Sequence, residues 1–171
     1  MAKDLQKMLR SNQMKKWLSI LQTSVAKKSP GGRTSLDLKI LIDSSVWISA
    51  AVYGGEPDKA LQLCLDKVST VVSEEITDEI RDIFRNIFGA PYRWINSFVR
   101  LLEEACEVPL GSVPVPISAT EVRDPEDLHV ISAAVHTGCD FILTGDKDLL
   151  ELGSYKNIVI ISPKDFLGLA K

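Results

Sequence analysis

Four carboxylates in this 171-residue chain raise the question of chemistry. Asp43 closes the apolar run Leu38 to Ile42, and Asp146 follows the run Phe141 to Leu143 by way of Thr144 and Gly145. Glu79 lies six residues past Ser73, and Asp127 ends the segment Asp124-Pro125-Glu126-Asp127. In an open parallel sheet the crossover helices begin at the carboxyl edge of the strands, and ligands bind in the crevice at that edge. Asp43 and Asp146 end strands there. Ser73 reads as a helix N-cap, with Glu79 in the second turn, and Asp124 as another, with Pro125 as the first helical residue and Asp127 close behind. Carboxylates gathered in one place repel each other unless a cation offsets their charge. Oxygen donors with no His or Cys beside them select hard cations, so Mg2+ or Mn2+ is expected, as one or two ions, rather than zinc. The chemistry such a site serves is attack by a metal-activated water on a phosphodiester.

Each acid also has a plainer use. Asp124 suits an N-cap, Glu74, Glu75 and Glu126 suit the first turns of helices where they offset the macrodipole, Asp148 suits a solvated surface, and Glu79 suits an outward helix face. Asp43 resists that treatment, because it ends a buried apolar strand. The joint placement of the four acids is a stronger signal than any one of them.

The elements that must position these residues follow from pattern. Short apolar runs at Leu38 to Ile42, Thr70 to Val72, Cys106 to Pro109, Phe141 to Leu143 and Ile158 to Ile161 read as strands. They alternate with helical stretches at Val46 to Val52, Pro57 to Lys67, Glu74 to Ile87, Pro91 to Ala105 and Pro125 to Thr137. That alternation predicts an α/β fold with a parallel sheet covered on both faces. Asp4 to about Lys28 forms a separate amphipathic basic helix, followed by the linker Ser29-Pro30-Gly31-Gly32-Arg33-Thr34-Ser35. The expected organisation is therefore an extension at 1–36 and a main domain at 37–171. Charge divides the same way. Residues 1–36 hold eight bases and one acid, a net +7, whereas 37–171 hold 12 bases and 22 acids, a net -10.

With 45% hydrophobic and 25% charged residues, the composition is that of a globular chain and excludes disordered and collagen-like classes. Cys64, Cys106 and Cys139 have no CxxC spacing and read as buried thiols of a reducing cytoplasm. No window reaches the roughly 20 apolar residues a bilayer span needs, so a cytoplasmic location is expected.

Residues 38 to 161 resemble a PIN domain, the ribonuclease fold of many toxins in toxin-antitoxin pairs. The resemblance is carried by Leu41-Ile42-Asp43-Ser44-Ser45-Val46-Trp47-Ile48, by Ser73 through Glu79, by Asp124-Pro125-Glu126-Asp127, and by Leu143-Thr144-Gly145-Asp146-Lys147-Asp148. It implies a three-layer α/β/α fold with strand order 3-2-1-4-5 and metal-dependent cleavage of RNA. It further implies a homodimer and an antitoxin protein as partner. By position it makes Asp43, Glu79, Asp127 and Asp146 the catalytic metal site, with Asp124 and Asp148 as auxiliary ligands. Ser44 stands where the family often has Thr, Ser45 where Asn is frequent, and Thr144 matches the family hydroxyl beside the last acid. These three are accessory residues. Arg81, Arg85, Arg123 and Lys147 are candidates for contact with the RNA backbone.

Other acid-edged folds fit less well. A haloacid-dehalogenase-like phosphatase needs an Asp at Ser45, a von Willebrand factor A-type site needs a Ser at Trp47, and a receiver domain needs an acid after the third strand. The different-class alternative is a catalytically silent PIN-like module that binds RNA or protein. The basic extension has three competing uses: phosphate contact, packing of its Leu, Ile and Trp stripe on its own domain or a second protomer, or capture of a partner. Packing is the first choice because the stripe is long and contains Trp17.

Overall fold

Ile40, Leu41 and Ile42 are all fully buried, so strand β1 (Lys39–Ile42) has no solvent face and requires cover on both sides. It occupies the middle of the sheet. The computed structural model describes residues 12–27, 38–109 and 128–169. Strands β2 (Ser69–Val71) and β3 (Phe141–Leu143) flank β1 in parallel, with Leu41 level with Val71 on one side and Ile142 on the other. Strand β5 (Ile158–Ile161) pairs in parallel with β3, and β4 (Ser154–Tyr155) pairs antiparallel with β5, giving the order β2-β1-β3-β5-β4.

The expected order holds for four of the five predicted runs, and the sheet departs from it at both edges. Cys106 to Pro109 contributes one parallel bridge, Glu107 to Val71, rather than a strand. Glu107 N–H donates to the Thr70 carbonyl at 2.8 Å, and its own carbonyl accepts from Val72 N–H at 3.1 Å. Pro109, with no N–H, cannot extend that ladder. At the other edge β4 makes the sheet mixed rather than wholly parallel. It is the short arm of a hairpin whose two-residue turn places Lys156 at φ 52, in the left-handed region.

Among the described residues there are eight helices: α1 (Asn12–Lys27), α2 (Ser44–Val52), α3 (Gly55–Lys67), α4 (Glu74–Asn86), α5 (Tyr92–Ala105), α6 (Leu128–Thr137), α7 (Lys147–Leu152) and α8 (Pro163–Leu169). The predicted start of the α6 helix at Pro125 and the linker 29–35 lie outside the described residues. Helices α7 and α8 are additions to the expected set. None of the described helices is long and apolar enough to cross a membrane.

The basic helix is part of the core. Met14, Trp17 and Leu21 are buried, and α1 packs on α5 and α2. At the end of α2 the N–H groups of Tyr53 and Gly54 both bond the Ser49 carbonyl. The neighbouring Ala50 carbonyl instead accepts from Trp17 Nε1 at 3.0 Å and Gln13 Nε2 at 3.1 Å, so α1 caps an orphaned acceptor of α2. The Trp17 and Trp47 rings meet edge to face at 6.2 Å. Lys16 pairs with Asp58 at 2.6 Å and Lys27 with Asp66 at 3.3 Å, so part of the positive charge of α1 is opposed by acids on α3.

Candidate functional site

Strand β1 delivers Asp43 to its carboxyl end, where Asp43 N–H donates to the Leu143 carbonyl of β3 at 3.0 Å. The residue is 5% exposed. It is also the N-cap residue of α2, with an extended backbone at φ -70 and ψ 153, yet its side chain makes no capping bond. An Asp at that position ordinarily turns back to the helix N–H groups. Here the carboxylate faces the next strand. Its Oδ2 accepts from Ser45 Oγ at 2.5 Å and from Thr144 Oγ1 at 2.8 Å.

Both hydroxyls are themselves held by the loop after β3. Gly145 N–H donates to Ser45 Oγ at 3.0 Å, and Asp146 N–H donates to Thr144 Oγ1 at 2.9 Å. Two relays thus run from backbone N–H through hydroxyl to a single carboxylate oxygen. Thr144 is fully buried, and its own N–H donates to the Ile161 carbonyl of β5 at 3.1 Å. The loop is therefore anchored to β5 as well as to Asp43. Ser44, also buried, lies in the first turn of α2.

Asp43 has no cationic partner among the described residues, and its Oδ1 accepts no hydrogen bond from them. A nearly buried carboxylate with neutral donors on one oxygen only is a costly arrangement without a positive charge nearby. That electrostatic demand, together with a donor set made of oxygens, fits a hard divalent cation.

Asp146 is exposed and has a structural duty. It is the N-cap of α7, and its Oδ1 accepts from Asp148 N–H at 2.7 Å and Leu149 N–H at 3.4 Å. Its Oδ2 accepts no bond from the described residues. Asp148 and Lys147 are exposed in the first turn of the same helix.

Glu79 is exposed on α4, in the second turn after the N-cap Ser73, whose Oγ accepts from Ile76 N–H at 3.3 Å. That helix leaves the sheet at the carboxyl end of β2 and packs on α2. Arg81 is committed to two carboxylates, Asp78 at 2.6 Å and Glu103 of α5 at 2.9 Å, and ties α4 to α5. Arg85 is exposed and forms no ion pair among the described residues.

The structure thus links Asp43 directly to the loop bearing Asp146 and sets Glu79 on a helix that starts at the same edge. Asp127, Asp124 and Arg123 lie outside the described residues. Among the described residues no three His, Cys, Asp or Glu side chains are grouped so that they could hold a metal ion. Sequence pattern did not reveal that Asp146 caps a helix or that Asp43 declines to. The Ser and Thr hydroxyls flanking the two acids were the only signal of the relays.

The family model described as PIN domain matches residues 39–148, more than half of the chain and the whole span from β1 into α7. No curated protein matches the chain.

Proposed function

The chain belongs to the PIN domain family, and on that premise we propose that it is a metal-dependent endoribonuclease that hydrolyses RNA phosphodiester bonds at the Asp43 edge of its sheet. Members of this family are generally nucleases. The observation that carries the reading is the Asp43 carboxylate, nearly buried, bonded on Oδ2 by two hydroxyls and without a cationic partner among the described residues.

Asp43, Glu79, Asp127 and Asp146 would hold Mg2+ or Mn2+, with Asp124 and Asp148 as auxiliary ligands. An ion held by them would supply an acidified water and offset charge on the phosphodiester. The chain supplies the rest. Ser45 and Thr144 hold Asp43 in one orientation and leave Oδ1 for a ligand. Capping through Oδ1 fixes Asp146 in the same manner and leaves Oδ2. Lys147, Arg85 and Arg123 contact the RNA backbone, while Arg81 serves the α4–α5 pairing. The same reading makes the chain the toxin of a toxin-antitoxin pair, acting as a homodimer and restrained by a partner protein.

The test is cleavage of a mixed RNA pool by the full chain, with Mn2+ and with chelator, alongside Asp43→Asn. Cleavage that needs the metal and fails in the variant supports the reading. Cleavage that persists in chelator and in the variant sinks the mechanism. A chain that cleaves nothing and whose melting temperature ignores millimolar Mn2+ is the silent binding module instead. Growth arrest on expression, relieved by Asp43→Asn, tests the toxin role.

A further inference from the structure

Residues 83–102 hold three arginines and no acid, within a segment, 37–171, that holds 22 acids against 12 bases. In the structure this segment is the end of α4, the turn and most of α5, bounded by Asp82 on α4 and by Glu103 and Glu104 on α5. Its turn is closed by Ala90 N–H donating to the Phe84 carbonyl at 2.9 Å, with Gly89 at φ 57. Inside, Phe84, Trp94 and Phe98 pack ring on ring, with centroids 4.9 Å apart for Phe84 and Trp94 and for Trp94 and Phe98. That rigid aromatic floor accounts for the inward residues of the turn.

The outward residues have no such account. Ile87 is 61% exposed and Tyr92 64%, although burying either would be favourable. Arg85 and Arg93 are exposed beside them and form no ion pair among the described residues. Two other arginines of the hairpin are paired, Arg81 with Asp78 and Glu103 and Arg100 with Glu104. The two arginines without an ion pair among the described residues are thus the ones nearest in sequence to the exposed Ile87 and Tyr92 around the turn. One phenol and one isoleucine supply far less apolar area than the roughly 800 Å² per partner of a stable protein interface. An exposed ring with two arginines that form no ion pair among the described residues, in a stretch of 20 residues without an acid, matches what binds single-stranded nucleic acid: a base stacks on the ring and phosphates meet the cations.

We infer that the α4–α5 turn is a binding site for a single-stranded RNA segment, with Tyr92 stacking on a base and Arg85 and Arg93 contacting the adjoining phosphates. This rests on the reading of the chain as acting on RNA. The same helix α4 carries Glu79, so the site is built into an element that also reaches the candidate catalytic edge.

The experiment is fluorescence anisotropy of an end-labelled single-stranded RNA on the full chain carrying Asp43→Asn, in chelator, so that cleavage does not intervene. Adding Tyr92→Ala should weaken binding roughly tenfold, within the range for loss of one stacked base, while adding Tyr92→Phe should not. Adding Arg85→Ala with Arg93→Ala should lower the slope of log affinity against log salt by about 1.4, two phosphate contacts' worth. Circular dichroism and melting temperature verify that these surface variants fold. RNA binding that is unchanged in all of them overturns the inference, removes Arg85 from the RNA contacts, and leaves metal-dependent cleavage at the Asp43 edge intact. So does unchanged RNA binding with a change in solution mass, which assigns the turn to a protein contact. A parent chain that neither binds nor cleaves RNA overturns the nuclease reading itself and the inference with it.

Discussion

Thr144 Oγ1 donates to Asp43 Oδ2 across 2.8 Å, joining two residues 101 positions apart in the chain. The same hydroxyl accepts from Asp146 N–H at 2.9 Å, so one buried oxygen orients both acids of the pair. Two parallel strands, β1 and β3, bring these residues level, and the hydroxyl fixes their relation.

Thr144→Val keeps the shape of the side chain and removes that oxygen. Asp146 N–H loses its acceptor and Asp43 Oδ2 keeps only Ser45, a change that costs about 1 to 3 kcal/mol in urea denaturation. RNA cleavage should fall by up to roughly a hundredfold, because small displacements of a reacting group are that costly. Thr144→Ser, which retains the hydroxyl, should keep most of the rate. A valine variant that cleaves at the parental rate would remove Thr144 from the site.

Asp43→Asn separates charge from shape. The amide oxygen still accepts from Ser45 and Thr144, so the metal-free variant should be no less stable than the parent. Mn2+ at about a hundred times its dissociation constant should stabilise the parent by about 2.7 kcal/mol and the variant by nothing. Thermal scans with and without Mn2+ measure both. An equal metal response in the two proteins would show that the ion binds elsewhere.

Asp146 has two duties, and two substitutions tell them apart. Serine is a competent N-cap, so Asp146→Ser should leave stability almost unchanged, whereas Asp146→Ala should cost about 1 kcal/mol as the cap of α7 is lost. Both remove the carboxylate, and both should abolish cleavage. Cleavage that survives in the serine variant alone would make Asp146 a cap and nothing more.

How far these relations were legible depended on what each one needs. Asp43 and Asp146 end apolar runs that are buried in any parallel sheet, so their nearness follows from sequence. The flanking hydroxyls are visible there too, but not their shared acceptor. The cap role of Asp146 was hidden because α7 has six residues, too few for a helical period to show. Strand β4, with two residues, was hidden for the same reason. Arg81 looked like Arg85 until the α4–α5 hairpin brought Glu103 to it, a contact 22 residues away. The direction of the α1 stripe was readable in principle, since Trp17 and Leu21 recur at helical spacing. Its landing place on α2 was not.

The buried thiols predict a pH response. Burial pushes the Cys64 thiol up to about 12, with Cys106 adding to the effect. Burial likewise pushes Cys139 up to about 11, against a lowering hydrogen bond from Thr137. In the unfolded chain both titrate near the ordinary value of 9.0. Above that pH the unfolded state releases protons that the folded state retains. Their contribution to stability is therefore complete below about pH 9 and is lost progressively as pH rises toward 11 for Cys139 and 12 for Cys64. Urea midpoints measured from pH 8 to 10.5 should fall, and the fall should be shallower in Cys139→Ala. Native-state labelling by a thiol reagent at pH 8 should be slow until denaturant is added, and rapid labelling without it would contradict the burial.

The basic helix α1 offers the sharpest test of what belongs to the folded unit. Trp17 is fully buried, meets Trp47 edge to face and donates to the Ala50 carbonyl. Trp17→Ala should therefore cost about 3 to 5 kcal/mol, the range for emptying a large aromatic site in a core. Trp17→Phe keeps most of the packing and removes only the N–H, leaving Ala50 to Gln13 alone, for about 1 kcal/mol. Helix α2 begins at Asp43, and Trp47 N–H bonds the Asp43 carbonyl at 3.4 Å, so support given to Trp47 reaches the first turn beside the site. The alanine variant should consequently lose cleavage activity even at temperatures where circular dichroism shows it folded, and the phenylalanine variant should lose little. If Trp17→Ala leaves the melting temperature where it was, α1 is an appendage resting on the domain and not a part of its core.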